Sequence, residues 1–228
     1  MFDIHYENED FVVINKYPGV SVHKDDGDTM LVSDVAIAIG ASSLHLVHRL
    51  DKMTSGLLIL AKRAEVATHF LRLFEQRDID KYYLAIGSKK PKKKQGTIIG
   101  DMERSRRSSW KLVNSKNNPA VTQFFSAAAE NGERVFLCKP LSGKTHQIRV
   151  ALKSIGSPIK GDAIYNTSDS SDRGYLHAYA LRFELSGESF QFRCDPRESS
   201  LGEKWRSAEV EDAIDKWSQP WELAWPKK

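Results

Sequence analysis

Between Gly56 and Ala61 the chain reads Gly-Leu-Leu-Ile-Leu-Ala, and this run constrains the fold more than any other segment. A stretch without a single polar side chain, entered through the Thr54-Ser55-Gly56 turn, has to run into the core. The residues just before it have the opposite character, with His48, Arg49 and Asp51 packed into one short segment. A carboxylate so close to a buried strand is held rigidly and partly desolvated, which is how an enzyme presents a nucleophile or a base. The other reading of Asp51 is a turn aspartate bonding the Thr54–Ser55 backbone, a common use of this residue. The residues alone leave both open.

With 228 residues the chain has room for a sizeable core. It shows no internal repeat and no linker, so residues 1–228 are read as a single domain. Residues 1–9 contain no basic region followed by an apolar run, and no stretch approaches the ~18 apolar residues of a membrane span. A cytoplasmic protein without a membrane partner is expected. Cys138 and Cys194 lie far apart in strand-like sequence and are expected to be buried, reduced thiols.

A net charge of +4 conceals a strong asymmetry. Residues 1–60 carry −5, residues 61–160 carry +13 and residues 161–228 carry −4. A basic centre between acidic flanks is the electrostatic footprint of a nucleic-acid face. Its densest part is Lys89, Lys90, Lys92, Lys93 and Lys94, followed by Arg104, Arg106, Arg107 and Lys111. A solvated lysine loop is the competing reading of the first five, and the arginines favour nucleic acid.

The pattern predicts strands at Phe11–Asn15, Val20–His23, Tyr82–Ile86, Thr97–Ile99, Ser109–Val113, Val121–Ala127, Val135–Leu141, His177–Leu185 and Phe190–Cys194. Helical spacing predicts helices over Leu31–Ile39, Ala64–Arg77 and Thr145–Ile155. Lys89–Gly96 and Asn166–Gly174 read as polar loops. Many short strands joined by hairpins, with few helices, give an α+β fold: a mainly antiparallel mixed sheet with flanking helices. Trp205, Trp217, Trp221 and Trp225 crowd the C-terminal tail, where packing onto the domain's own surface is favoured over base stacking.

Other chemistries fit poorly. The seven histidines show no Cys–His spacing of a zinc site, so no metal is expected. His48-Arg49-Leu50-Asp51 differs from a kinase catalytic loop by the intervening leucine, and no glycine-rich phosphate loop accompanies it. A glycoside hydrolase would want a second catalytic carboxylate, and no second motif supplies one.

Taken together, His48–Lys62 and Gly143–Tyr165 closely resemble the RluA-type pseudouridine synthases. Asn15-Lys16…Gly19…His23, Lys81-Tyr82-Tyr83 and Leu176-His177-Ala178 resemble further blocks of that family. There are departures: Tyr17 interrupts the opening block, Met53 stands for an acidic residue, Ala151 and Ser157 for histidines, and Lys160 for an apolar residue. None of these touches Asp51, Tyr83 or Arg149, so they put substrate choice in doubt more than activity. The catalytic part is expected to open the chain directly, without the small basic RNA-binding domain that many relatives carry in front.

The resemblance implies a pseudouridine synthase fold with a central active-site cleft, and isomerisation of one uridine in a ribosomal or transfer RNA stem-loop. It implies Asp51 as nucleophile, Arg149 as its charge partner and Tyr83 against the base. Arg49 would fill the space left by the extruded base. Contacts to RNA are expected from His48, Lys62, Lys81, Lys92, Lys93, Lys94, Arg106, Arg107 and Lys144, with His48 also serving as structural support. No cofactor is needed, because the reaction involves no redox step or donor, and a monomer is expected. The alternative from another class is a non-catalytic RNA-binding or ribosome-assembly protein on the same fold.

Overall fold

The computed structural model describes residues 1–22, 30–106, 108–198 and 201–227. Its first half contains β1 (Phe2–Glu7), β2 (Phe11–Lys16), α1 (Leu31–Ala38), β3 (His45–Leu46), β4 (Ser55–Ala61) and α2 (Ala64–Gln76). Then follow β5 (Asp80–Gly87), β6 (Gln95–Arg104), β7 (Trp110–Val113), β8 (Ala120–Ala128) and β9 (Arg134–Pro140). The chain closes with α3 (Gln147–Ser154), β10 (Leu176–Leu185), β11 (Glu188–Arg193) and α4 (Ala208–Lys216).

The strands make one sheet in the order β1-β2-β4-β10-β5-β9-β8-β6-β7, with β3 added to β4 and β11 to β10. Every pairing is antiparallel except β4 with β10. That one parallel contact, His177 opposite Ser55 and Ala178 opposite Gly56, joins two half-sheets. Gly56 is what allows it. Its φ is +105°, and a Cβ there would meet the Ala178 carbonyl oxygen at 2.3 Å.

Both faces of the first half-sheet are covered, which explains why β2 and β4 are buried along their whole length. Phe11, Val13, Leu57 and Ile59 pack against Val66 and Phe70 of α2 and Phe183, Phe190 and Phe192 of the β10–β11 hairpin. Val12, Ile14, Leu58 and Leu60 face the other way, onto Leu31 and Val35 of α1. In the second half, Phe124, Phe136 and Cys138 pack on Ile148 and Leu152 of α3. Tyr82, Leu84, Val135 and Leu137 turn to the opposite face, which is covered by Trp205, α4 and the end of the chain.

The tail does what its aromatic content favours. Trp225 packs with Tyr82 and Phe125, its Nε1 donates to the Pro220 carbonyl at 2.8 Å, and Lys227 accepts from Thr97 at 2.9 Å. Val210, Ala213 and Ile214 give α4 its buried stripe.

β1, β3 and α4 are not in the sequence pattern, and three further differences have a local cause. Val20–Val22 is not a strand: it leaves the Pro18-Gly19 turn to lie under the site, and His23 lies outside the described residues. β6 runs from Gln95 to Arg104, well beyond Thr97–Ile99, because β7 gives its second half a partner. α3 begins two residues late, because His146 takes a left-handed conformation (φ 56°) that breaks the helical path.

His177 lies in the joint between the half-sheets, fully buried. Its Nε2–H donates to the Cys194 carbonyl at 2.8 Å, so Nδ1 accepts from the Ser55 hydroxyl, also at 2.8 Å. Burial pushes its pKa down to about 3. The unfolded chain therefore binds a proton below pH ~6.5 that the native state refuses down to about 3, and stability falls as pH drops through that window. We expect His177 to remove about 2 kcal/mol between pH 6.5 and pH 5. Urea unfolding of wild type and His177→Gln at both pH values measures this, because His48 contributes to the wild-type slope in the same window. His177→Gln should flatten the slope whatever its stability at pH 7, and an unchanged slope would refute the assignment.

Candidate active site

A cleft of about 650 Å³ opens where the loop before β4, the start of β5, the end of α2 and the start of α3 meet. Each contributes what its local conformation dictates. The loop holds Asp51 in a turn closed by the Thr54 N–H on the Asp51 carbonyl at 2.9 Å. The turn uses the aspartate backbone and leaves the carboxylate to point elsewhere. Oδ2 accepts from Nη1 of Arg149 at 3.0 Å, while Oδ1 has no partner among the described residues.

Arg149 is 5 % exposed and is itself gripped from behind. Asp162, fully buried, takes Nε on one oxygen and Nη2 on the other, both at 2.8 Å. The backbone N–H groups of Ile164 and Tyr165 donate to the same carboxylate at 3.0 and 3.1 Å. Burial opposes the charge on Arg149, but Asp162 and then Asp51 outweigh it and raise its pKa. The guanidinium is therefore a permanent cation held in a fixed plane, with the Tyr165 ring 5.1 Å away. Tyr165 is tied down in turn. Its hydroxyl accepts from the Trp110 N–H at 2.9 Å and shares a hydrogen bond with Nδ1 of His146 at 2.8 Å.

Tyr83 reaches the cleft because alternation along β5 sends Lys81 and Tyr83 to one face, while Tyr82 packs on the other. Burial, with the Asp51 charge added, raises its phenol, so Tyr83 is a neutral donor and stacking surface. Beneath the Asp51 loop, Lys16 is fully buried. Its ammonium bonds the carbonyls of Tyr17 and Val20 at 3.0 and 2.8 Å and lies 3.4 Å from that of Lys52. Burial and the charge of Arg173 push it down to about 7, against the pull of Asp51. It fastens the opening turn to the Asp51 loop.

The sequence-derived site residues divide into two groups. Asp51, Tyr83, Arg49, His48, Lys81 and Lys144 line the cleft, and Arg149 joins them from behind through its ion pair with Asp51. His48 stacks on Phe74 at 4.7 Å and its Nε2 accepts the Ile59 N–H at 2.9 Å, so that nitrogen supports β4. Burial and the Lys81 charge push it down to about 3 and keep it neutral.

Lys62 is not brought in. It sits at the far end of β4, paired to Glu7 at 2.6 Å. Lys92, Lys93 and Lys94 follow the other end of β5, which runs roughly 13 Å beyond Tyr83. They are exposed on a loop pinned by the Lys92 N–H on the Ile155 carbonyl at 2.9 Å. Arg106 tops the exposed β6–β7 hairpin, and Arg107 lies outside the described residues.

Asp162, Tyr165, His146 and Lys16 belong to the site although no role was read for them. All four lie inside the quoted blocks, but nothing in periodicity or charge distinguishes a buried clamp from a turn residue. The departures at Met53, Ser157 and Lys160 are absorbed locally: Met53 packs on Gly174, Ser157 donates to the Lys89 carbonyl, and Lys160 pairs with Glu133 at 2.6 Å. No group of three or more His, Cys, Asp or Glu side chains among the described residues is arranged to hold a metal ion. None of the described helices is long and apolar enough to cross a membrane.

The distant lysines give a direct test of the basic face. Replacing Lys92, Lys93 and Lys94 by alanine should flatten the log–log salt slope of RNA binding by up to about two units, at ~0.7 per phosphate contact on single strands. The single-turnover rate at saturating RNA should stay near wild type, since nothing in the cleft changes. An unchanged slope would leave them a solvated loop and move the RNA path towards Arg104 and Arg106.

Comparison with known proteins points one way. The family model described as RNA pseudouridylate synthase matches residues 10–154. An RNA pseudouridine synthase of Haemophilus influenzae is 48 % identical over 213 residues, covering 93 % of this chain and 94 % of that protein. The ribosomal large subunit pseudouridine synthase C of Rickettsia bellii is 31 % identical over 192 residues; the match covers 81 % of this chain but only 64 % of that longer protein. Among solved structures, human RNA pseudouridylate synthase domain containing 1 superimposes with a TM-score of 0.78 at 26 % identity, over 100 % of this chain and 97 % of that one.

Proposed function

Because the chain belongs to the RNA pseudouridylate synthase family, as an isomerase acting on RNA, we propose that it converts one uridine in a ribosomal or transfer RNA stem-loop to pseudouridine, in the cytoplasm, with Asp51 as the nucleophile. The observation that carries this reading is the Asp162–Arg149–Asp51 chain. A fully buried carboxylate locks a guanidinium, which holds one oxygen of a second carboxylate at 3.0 Å and leaves its other oxygen to the cleft.

The reaction breaks the bond from ribose carbon 1 to ring nitrogen 1, turns the base over and rejoins it through ring carbon 5, which gives up its proton while ring nitrogen 1 takes one up. The freed oxygen of Asp51 acts at the sugar, either by direct attack or by supporting a glycal-type intermediate. Arg149 keeps the carboxylate ionised and aimed. Tyr83 lies against the base and, being neutral, can shield it from water and donate a hydrogen bond. The uridine has to leave its stack to reach this depth, and Arg49, beside Asp51 and without a partner among the described residues, is placed to fill the gap. A pure RNA binder has no use for a carboxylate aimed into a cleft that admits phosphates, and nothing in the geometry favours that alternative.

Mapping pseudouridines across total cellular RNA with and without this protein tests the reading and identifies the substrate. At least one position should lose its modification and regain it when the gene is restored. Identical maps would refute the proposal.

A further inference from the structure

Lys81 poses a question the mechanism does not answer. Its side chain points into the cleft from the same face of β5 as Tyr83, yet it makes no hydrogen bond or ion pair with any described residue. Its one close companion is the Phe74 ring, 5.8 Å from the ammonium. A cation over an aromatic face recovers only part of what burial costs an ammonium group.

Two acids, Glu75 and Asp80, also line the cleft, but neither makes an ion pair with Lys81, and Asp80 is paired to Lys139 at 2.8 Å. His48 is neutral, with Nε2 committed to Ile59. The charge Lys81 feels most is another cation, Arg77, and burial together with that repulsion lowers its pKa. Arg77 lies at the C-terminal end of α2 in a left-handed conformation (φ 66°), and its guanidinium has no partner among the described residues. Lys144 lines the same cleft, also without an ion pair. Cations this close and this poorly compensated make a site that needs an anion.

We propose that Lys81, assisted by Arg77, forms an anion subsite that receives a phosphate of the target nucleotide. This rests on the reading of the cleft as a nucleotide site. Lys81 precedes Tyr83 by two positions, roughly 7 Å along the strand. With the base against Tyr83 and the sugar at Asp51, the only anion a nucleotide brings to that wall is its phosphate. A lysine ammonium, a compact point charge with three donors, suits a phosphate that can be the 5′ or the 3′ one. The subsite also gives the extruded uridine a second anchor, which fixes how deep the nucleotide sits relative to Asp51.

The test titrates the intact protein at low salt with uridine, uridine 5′-monophosphate and uridine 3′-monophosphate, following 13Cε lysine signals by NMR. Wild type should bind one monophosphate at least roughly tenfold more tightly than uridine, as a charge-assisted bond allows. The isomer that gains identifies which phosphate docks. Lys81→Gln should lose that advantage while keeping its affinity for uridine, and Lys81→Arg should retain most of it. The inference is overturned if neither monophosphate outbinds uridine in wild type, or if the advantage survives in Lys81→Gln. Equal loss of all binding in the Gln and Arg variants would make Lys81 a structural residue and overturn it as well. No turnover is involved, so a failure here is distinct from failure of wild type to form pseudouridine.

Discussion

Arg149→Ala is expected to be both inactive and markedly less stable. Two carboxylates depend on this guanidinium, and they would fail differently. Asp51 is partly open to the cleft and would lose its aim, with a loss of single-turnover rate of at least about a hundredfold. Asp162 is fully buried and would be left with its two backbone N–H donors but no counter-charge. Removing one partner of a buried pair costs on the order of 3–5 kcal/mol. Urea unfolding measures that loss, and pseudouridine formation on the mapped RNA measures the other. Arg149→Lys should recover part of the activity and little of the stability, because an ammonium cannot replace the three bonds from Nε, Nη1 and Nη2. Normal activity in Arg149→Ala would show that the pair is not part of the chemistry.

Asp51→Asn separates chemistry from structure more cleanly. The amide has the same shape, and its oxygen can still accept from Nη1 of Arg149, which Asp162 continues to hold. Stability and RNA affinity should stay close to wild type. Turnover should fall by at least about a thousandfold, since an amide has neither the charge nor the nucleophilicity of a carboxylate. Quantifying pseudouridine after a single-turnover reaction, on protein free of wild-type enzyme, is the deciding measurement. Substantial product from Asp51→Asn would remove Asp51 from the nucleophile role and leave the cleft in need of another group.

The contrast between these variants depends on Asp162, and Asp162 marks the limit of what the chain shows when read as letters. The run Gly56–Ala61 announces a buried strand because apolarity is a local property. For the same reason the stripe on α2 and the crowding of tryptophans announce surfaces that must be covered, and both are. Asp51, Tyr83 and Arg149 are legible through the resemblance of their motifs; the fold brings Asp51 and Tyr83 to one cleft from the loop before β4 and from β5, and Arg149 of α3 to Asp51.

Partnership is another matter. Whether a lysine sits over water or inside the protein depends on what comes to lie across from it. Lys16, Lys62, Lys81 and Lys92 are the same letter. Folding makes the first a buried clamp, the second half of an ion pair at 2.6 Å, the third a cation facing an empty cleft wall and the fourth a solvated charge.

The left-handed turn at His146, which shortens α3 and sets the start of the helix carrying Arg149, is likewise invisible to periodicity. The order of elements and the clustering of charge in the Asp51 segment were therefore determined by the sequence itself, since they follow from which residues avoid water and which carry charge. Which charges are compensated, and by which carboxylate, was decided only by the tertiary structure. A 3 Å contact between residues 98 positions apart exists only once two half-sheets have been joined at Gly56.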